Sequence, residues 1–241
     1  MQKKIQAMIA DCAEDIEPPT SWWRRMIKPT IYVGVAMLLL LVILAFLFVK
    51  LPVIVSNRIG RAVNENDLKY IKNRLMQEKK GYAKSYGIYI LSLAAEYERP
   101  EVAELVIKYG YNINGTYCSV RSTPLTFAVE CHSYQVCEVL LKNNADVNIK
   151  DGFGRTAIYY AVDNVLIEHI IAKGAKLDER DSTPSRWTPL HYAVSCFNIN
   201  LVRALLLHKV DVHEKDADGK DALDIAQEGH YDYLIKLLKQ E

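Results

Sequence analysis

The chain repeats itself. "STPLTFAVE" at 122–130 and "WTPLHYAVS" at 187–195 share Thr, Pro, Leu, Ala and Val at matching places. "RTAIYYAVD" at 155–163 lies between them and "KDALDIAQE" at 220–228 follows; upstream, "YILSLAAEY" at 89–97 keeps a Leu-Ala-Ala core. The first small residue of each copy gives a regular series, Ala62, Ala94, Ala128, Ala161, Ala193 and Ala226, whose steps are 32, 34, 33, 32 and 33. A second apolar run follows each start, as in "VAELVIKYG", "VCEVLLKNNA", "IEHIIAKGA" and "VRALLLHKV". A period of this size means a supersecondary unit that buries its apolar face only by stacking on its neighbours.

The residues fit such a unit. Thr123, Thr156 and Thr188 stand where a hydroxyl can cap the free N–H groups of a helix start, and Pro124 and Pro189 suit the first helical position, where no N–H is missed. The column of alanines lets neighbouring helix pairs approach closely. Gly110 and Gly174 end second helices in a left-handed conformation, Asn144 substitutes in one copy, and Lys209 departs from the pattern. Two irregularities are adjacent. In the copy from Thr156, Gly174 follows Ala161 three places sooner than the matching residue follows the alanine in neighbouring copies. That shortening points to the inter-helix turn around Asp163–Val165. The connection after it, "LDERDSTPSRW", is longer by about two places than the one before Thr156. Residues 214–241 close the array, with polar Lys236, Lys239, Gln240 and Glu241 on an exposed last helix.

Thr-Pro-Leu-His at 188–191, Asn-Ala-Asp-Val-Asn at 144–148 and "DGFGRT" at 151–156 all fall in the register of the ankyrin repeat, which this chain resembles over 86–241 and, faintly, over 57–80. The resemblance implies an all-α solenoid of helix-turn-helix repeats with β-hairpin-like fingers. It also implies a concave surface of fingers and inner helices that binds proteins. The partner-binding residues expected on that surface are Trp187, Phe153, Arg155, Arg186, Ser122, Lys220, Glu130 and Ser195. Trp187 holds the variable finger position matched by Ser122, Arg155 and Lys220. It is either a binding anchor or a residue that folds back on Phe153 and stiffens the long finger. "DGFG" at 151–154 reads as the finger turn rather than a phosphate loop, and His191 as a structural residue bonded to a neighbouring loop.

A different signal precedes the repeats. "IYVGVAMLLLLVILAFLFV" at 31–49 runs without a single charge and is bounded by Lys28 and Lys50. Such a helix nearly spans a ~30 Å hydrocarbon core, and its Leu, Ile, Val and Phe favour insertion by roughly 4–8 kcal/mol. Trp22, Trp23 and Tyr32 fit an interfacial belt. The run exceeds the ~7–15 apolar residues of a cleavable leader, so it reads as an uncleaved signal anchor. The chain divides accordingly: 1–29 a tail with an apolar stripe (Ile5, Met8, Ile9, Cys12, Ile16), 30–55 the transmembrane anchor, 56–85 an N-terminal capping half-repeat, and 86–241 the repeats with their C-terminal cap. The short Arg-bearing N-terminal segment favours an inner bacterial membrane with the repeats outside the cytoplasm. The lipid contacts expected are residues 31–55 and a basic collar of Arg58, Arg61, Lys69 and Lys72.

Composition narrows function. Formal net charge is +1, against the basic excess of nucleic-acid binders. Residues 51–85 carry 8 Lys+Arg against 3 Asp+Glu, whereas 86–241 carry 16 against 22. No His-Glu-x-x-His, Cys-x-x-Cys or Gly-x-Ser-x-Gly motif is present, so neither catalysis nor a cofactor is expected. Five cysteines are expected as free thiols, because the equivalent Cys131 and Cys196 lie two repeats apart. Asn114-Gly115-Thr116 is a glycosylation sequon. The function expected is a membrane-tethered protein-binding module, in a narrower form a bacterial immunity protein neutralising a toxin at the membrane. The alternatives are a cytosol-facing adaptor or effector and a structural subunit of a membrane complex.

Overall fold

A computed structural model describes residues 58–78, 84–116 and 121–240. The apolar run at 31–49, the tail stripe, Lys79, Lys80, Cys12 and Cys118 lie outside the described residues. Among the described residues, no helix is long and apolar enough to cross a membrane.

Six helix pairs stack in chain order within the compact unit that begins at Asn57. The first pair is α1 (58–64) and α2 (Leu68–Glu78), followed by α3 (Lys84–Glu96) and α4 (Pro100–Lys108). Next come α5 (Pro124–Glu130) and α6 (Tyr134–Lys142), then a 3₁₀ turn (Ala157–Tyr160) with α7 (Asn164–Ala172). The last two pairs are α8 (Pro189–Ser195) with α9 (Ile199–Leu207), and α10 (Ala222–Glu228) with α11 (Asp232–Leu238). The first copy, read as a half-repeat, therefore holds both of its helices. Its collar residues Arg58, Arg61, Lys69 and Lys72 are exposed.

The alanine column explains the stacking. Ala62, Ala94, Ala128, Ala161, Ala193 and Ala226 are all buried, and with so little side chain between them the inner elements pack directly. α3 packs on α5, α5 on the 3₁₀ turn, that turn on α8, and α8 on α10. The second helices form their own row, α2 on α4, α4 on α6, α6 on α7 and α7 on α9. One apolar core runs through every pair from Ile59 to Leu238, so each unit is stable only between neighbours.

Helix ends follow the sequence with one exception. Thr123 Oγ1 accepts from Thr126 N at 3.1 Å, and Thr188 forms a reciprocal capping box with His191. Thr156 caps nothing: its hydroxyl is buried without a hydrogen-bond partner. Lys209 is no exception in shape, since its φ of 56° is left-handed like that of Asn144 (62°), Gly110 (75°) and Gly174 (86°). The connections hold turns rather than the expected hairpin strands; among the described residues there is no regular strand.

The shortening falls on the inner helix and not on the turn. In the regular repeat, α5 spans Pro124–Glu130 and three residues lead to α6. In the short one, the helix shrinks to the 3₁₀ turn Ala157–Tyr160, and three residues again lead to α7. Asp163 explains the choice. Its side chain accepts from Leu166 N at 3.0 Å, a good N-cap that fixes where α7 must start.

Candidate protein-binding surface

Each of the last three fingers is organised around a buried aspartate. Asp151 Oδ1 accepts from the backbone N–H groups of Phe153 (2.8 Å) and Arg155 (2.9 Å). Asp216 Oδ1 does the same with Asp218 and Lys220, both at 2.9 Å. In the longer finger the second contact moves two places on, so Asp181 Oδ1 accepts from Thr183 N (3.2 Å) and Trp187 N (3.0 Å). Gly154 is required here twice. Its φ is +76°, and a Cβ would lie 2.5 Å from Ser182 N, the group that donates to Phe153 O at 2.7 Å.

The second oxygens of Asp181 and Asp216 receive two of the residues at the variable finger position. Arg155 Nε donates to Asp181 Oδ2 at 3.1 Å, and Trp187 Nε1 donates to Asp216 Oδ2 at 3.0 Å. Burial alone would raise the Asp216 carboxyl, but the Lys220 and Asp218 amides and the Trp187 indole hold it below the usual range. Trp187 thus reaches forward to the next finger, not back to Phe153. Arg155 is the residue beside Phe153, its guanidinium 5.7 Å from that ring's centroid. His191 works the same way: Nε2 donates to Lys220 O at 3.2 Å, while Nδ1 accepts from the Thr188 hydroxyl at 2.7 Å. Burial lowers its pKa and favours this neutral form.

Among the expected contact residues, Ser122 is buried, which corrects its placement on the partner-binding surface. Trp187 is half-buried, Arg186 and Phe153 are exposed, and Lys220 pairs with Glu228 Oε1 at 2.6 Å. Asn114 of the sequon is also engaged, its side-chain oxygen accepting from Asp146 N at 3.0 Å. Cys131, Cys137 and Cys196 are free thiols; burial pushes Cys137 up to about 12. Among the described residues no cluster of His, Cys, Asp or Glu could hold a metal.

Glu130 and Ser195 end the inner helices on either side of the short repeat. The turn missing between them leaves an open cleft of about 550 Å³, lined by Glu130, Tyr160, Tyr192 and Phe197 among others. The truncation also strips helical partners from two carbonyls. Both are satisfied from the following repeat, Asn198 Nδ2 donating to Ala161 O at 2.8 Å and Asn200 Nδ2 to Val162 O at 2.9 Å. Burial, then the nearby Asp151 charge, raises the Glu130 carboxyl pKa. The sequence pointed to Glu130 and Ser195 but not to this cleft; the shortened copy together with Asn198-x-Asn200 was the available signal.

Comparison with known proteins agrees with this geometry. The family model for ankyrin repeats (3 copies) matches residues 59–151, 91–181 and 156–241. The human transient receptor potential cation channel subfamily A member 1 is 32% identical over 143 residues, 57% of this chain and 13% of that protein. The putative ankyrin repeat protein FPV031 of Fowlpox virus (strain NVSL) is 31% identical over 161 residues, 62% of this chain and 46% of that protein. Alpha-latrocrustotoxin-Lt1a of Latrodectus tredecimguttatus is 28% identical over 142 residues, covering 58% of this chain and 10% of the toxin. The chain thus spans less than half the length of these relatives. Ankyrin repeats imply a protein–protein interaction module. With its alanine column, capped inner helices and family match running from residue 59 to residue 241, the chain belongs to the ankyrin-repeat family.

Proposed function

We propose that this chain is a single-pass, membrane-tethered interaction module whose ankyrin surface engages a protein partner. The observation that carries the tether is the uncharged run at 31–49, placed directly ahead of repeats that begin at residue 59. The exposed collar of Arg58, Arg61, Lys69 and Lys72 supports it, since anionic lipid attracts such charges by about 1 kcal/mol each. On the partner side, Phe153 and Arg186 project from the fingers, and Glu130 and Ser195 end the inner helices. Trp187 and Arg155 act as positioning residues, joining one finger to the next.

The test is crosslinking of the full chain in membranes, followed by capture from detergent extracts. Phe153→Ala is expected to weaken capture of a specific partner without changing the melt. Trp187→Ala is expected to lower the melt. Capture that survives loss of the whole finger row, or a chain recovered in the soluble fraction, overturns the reading. Protease added to intact cells after outer-membrane permeabilisation should digest the repeats; full protection moves the cytosol-facing adaptor first. The narrower immunity role requires that the captured partner be a toxin, and that removing this chain expose the host to it.

A further inference from the structure

We propose that the cleft left by the missing helical turn receives an arginine side chain of the protein partner. The proposal rests on the binding-module reading and names the chemistry that one part of the surface selects.

The cleft has a shape, two kinds of wall and one charge. Its cause is structural: α5 and α8 each run seven residues, whereas the element between them stops after the four residues Ala157–Tyr160. The rings of Tyr160, Tyr192 and Phe197 line the gap. Tyr160 and Tyr192 meet edge to face with centroids 6.0 Å apart, and Phe197 leans on Tyr231 of the next repeat at 5.1 Å. These rings are therefore held in place, as a preformed site needs. Backbone acceptors offer little to a ligand, because Asn198 and Asn200 already occupy the Ala161 and Val162 carbonyls.

The charge is Glu130. It has no ion-pair partner among the described residues and lies within electrostatic reach of Asp151 and Tyr192. Its exposed carboxylate lines the cleft beside the negative charge of Asp151, which leaves it for an incoming cation to pair with. Arg155, which lies over the Tyr192 ring, does not pair with it. Arg155 is committed to Asp181, whose carboxylate is fully buried. An acidic side chain entering here would meet Glu130 as a like charge, and an apolar one would leave the carboxylate unpaired.

Arginine fits better than lysine for two reasons. A guanidinium stacks flat on aromatic rings, and its planar fork can bind a carboxylate through two hydrogen bonds. The molecule already shows the first contact, since the Arg155 guanidinium lies 4.3 Å from the Tyr192 ring centroid.

The test uses the full chain in detergent micelles with ring-labelled Tyr and Phe, titrated with the peptide acetyl-Gly-Ser-Arg-Ser-Gly-amide. Saturable shifts of the Tyr192 and Phe197 ring signals are expected. Binding should weaken about fivefold or more when citrulline replaces arginine, and similarly for Glu130→Gln, whose melt should match that of the parent chain. Glu130→Arg, which supplies its own guanidinium, should abolish the shifts. Absence of saturable ring shifts overturns the proposal, as does equal binding of the citrulline or the lysine peptide. The two readings fail separately. A partner captured equally well by Glu130→Gln removes the cleft and keeps the module, while arginine-specific shifts without any captured partner do the reverse.

Discussion

The repeat that starts at Thr123 and the one that starts at Thr156 share the threonine and the Ala-Val pair five places on, and end up different. The first caps its inner helix through the threonine hydroxyl, runs two turns and leaves it through left-handed His132 (φ 56°). Asn66, Glu98, Phe197 and His230 turn the chain in the same left-handed way after the other inner helices. The second does none of this: its Thr156 hydroxyl is unpartnered, its helix is a single 3₁₀ turn, and no residue from 157 to 163 has a positive φ. A non-glycine residue in that conformation costs roughly 1–2 kcal/mol, so the truncation avoids one local cost. It incurs another, the loss of helical hydrogen bonds, which Asn198 and Asn200 offset from outside. Autonomy is what separates the two. The regular repeat satisfies the backbone of its own inner helix and the turn after it, and the short one depends there on its successor.

That contrast can be broken or sharpened by substitution. The largest effect is expected at Asp181, in the finger that follows the short repeat. Its carboxylate accepts from Thr183 N, the Thr183 hydroxyl, Trp187 N and Arg155 Nε. Asp181→Ala leaves Arg155 without its buried partner and should cost about 3–5 kcal/mol. At about 2–4 °C per kcal/mol the melt falls by ~10 °C. Denaturant titration beside Asp178→Ala, an exposed neighbour, checks this; equal small losses would mean the finger is not held by its aspartate.

Smaller but more direct is the pair Asn198→Ala and Ser133→Ala, which occupy matching positions before α9 and α6. Asn198 caps Leu201 N and donates to Ala161 O, so its loss should cost ~1–2 kcal/mol. Ser133 Oγ is buried with no hydrogen-bond partner, and its loss should stay within about 0.5 kcal/mol. Similar costs for the two would show that the short repeat does not depend on its successor.

The smallest contrast compares threonines at one repeat position. Thr123→Val removes a cap and should destabilise by ~1 kcal/mol, whereas Thr156→Val removes an unpartnered hydroxyl and should be neutral or slightly stabilising. Urea midpoints of the two variants decide it, and a larger loss at Thr156 would mean that its hydroxyl has a partner in solution.

The period, the alanine column, the prolines and the caps at Thr123 and Thr188 could all be read from the chain, because each is a local rule applied several times. The site of the deletion could not. The early arrival of Gly174 after Ala161 says that part of the unit is gone, and only the competition between Asp163 as a cap and a longer inner helix decides which element loses it. Trp187 was harder still. Register puts it at the variable finger position, but the partner of its indole lies in the next finger, at Asp216. Position in a repeat predicts which way the backbone runs, not how far a long side chain reaches. The cleft was invisible for a different reason: it is made by residues that are absent.

The side-chain staples onto the finger aspartates have a direction. Trp187 and Arg155 donate toward the C-terminus, and the buried carboxylates that receive them belong to the later finger. Asp151 stands apart, taking its second bond from Tyr160 in the 3₁₀ turn just after it, at 2.7 Å. Fraying from the C-terminal end therefore frees half-exposed donors, which water can satisfy. Fraying past Asp151 from the N-terminal side would strand buried acids in the fingers that remain. Unwinding should thus begin at the last helix pair and pass Asp181 only late, so that the two ends of one linear array open under different rules.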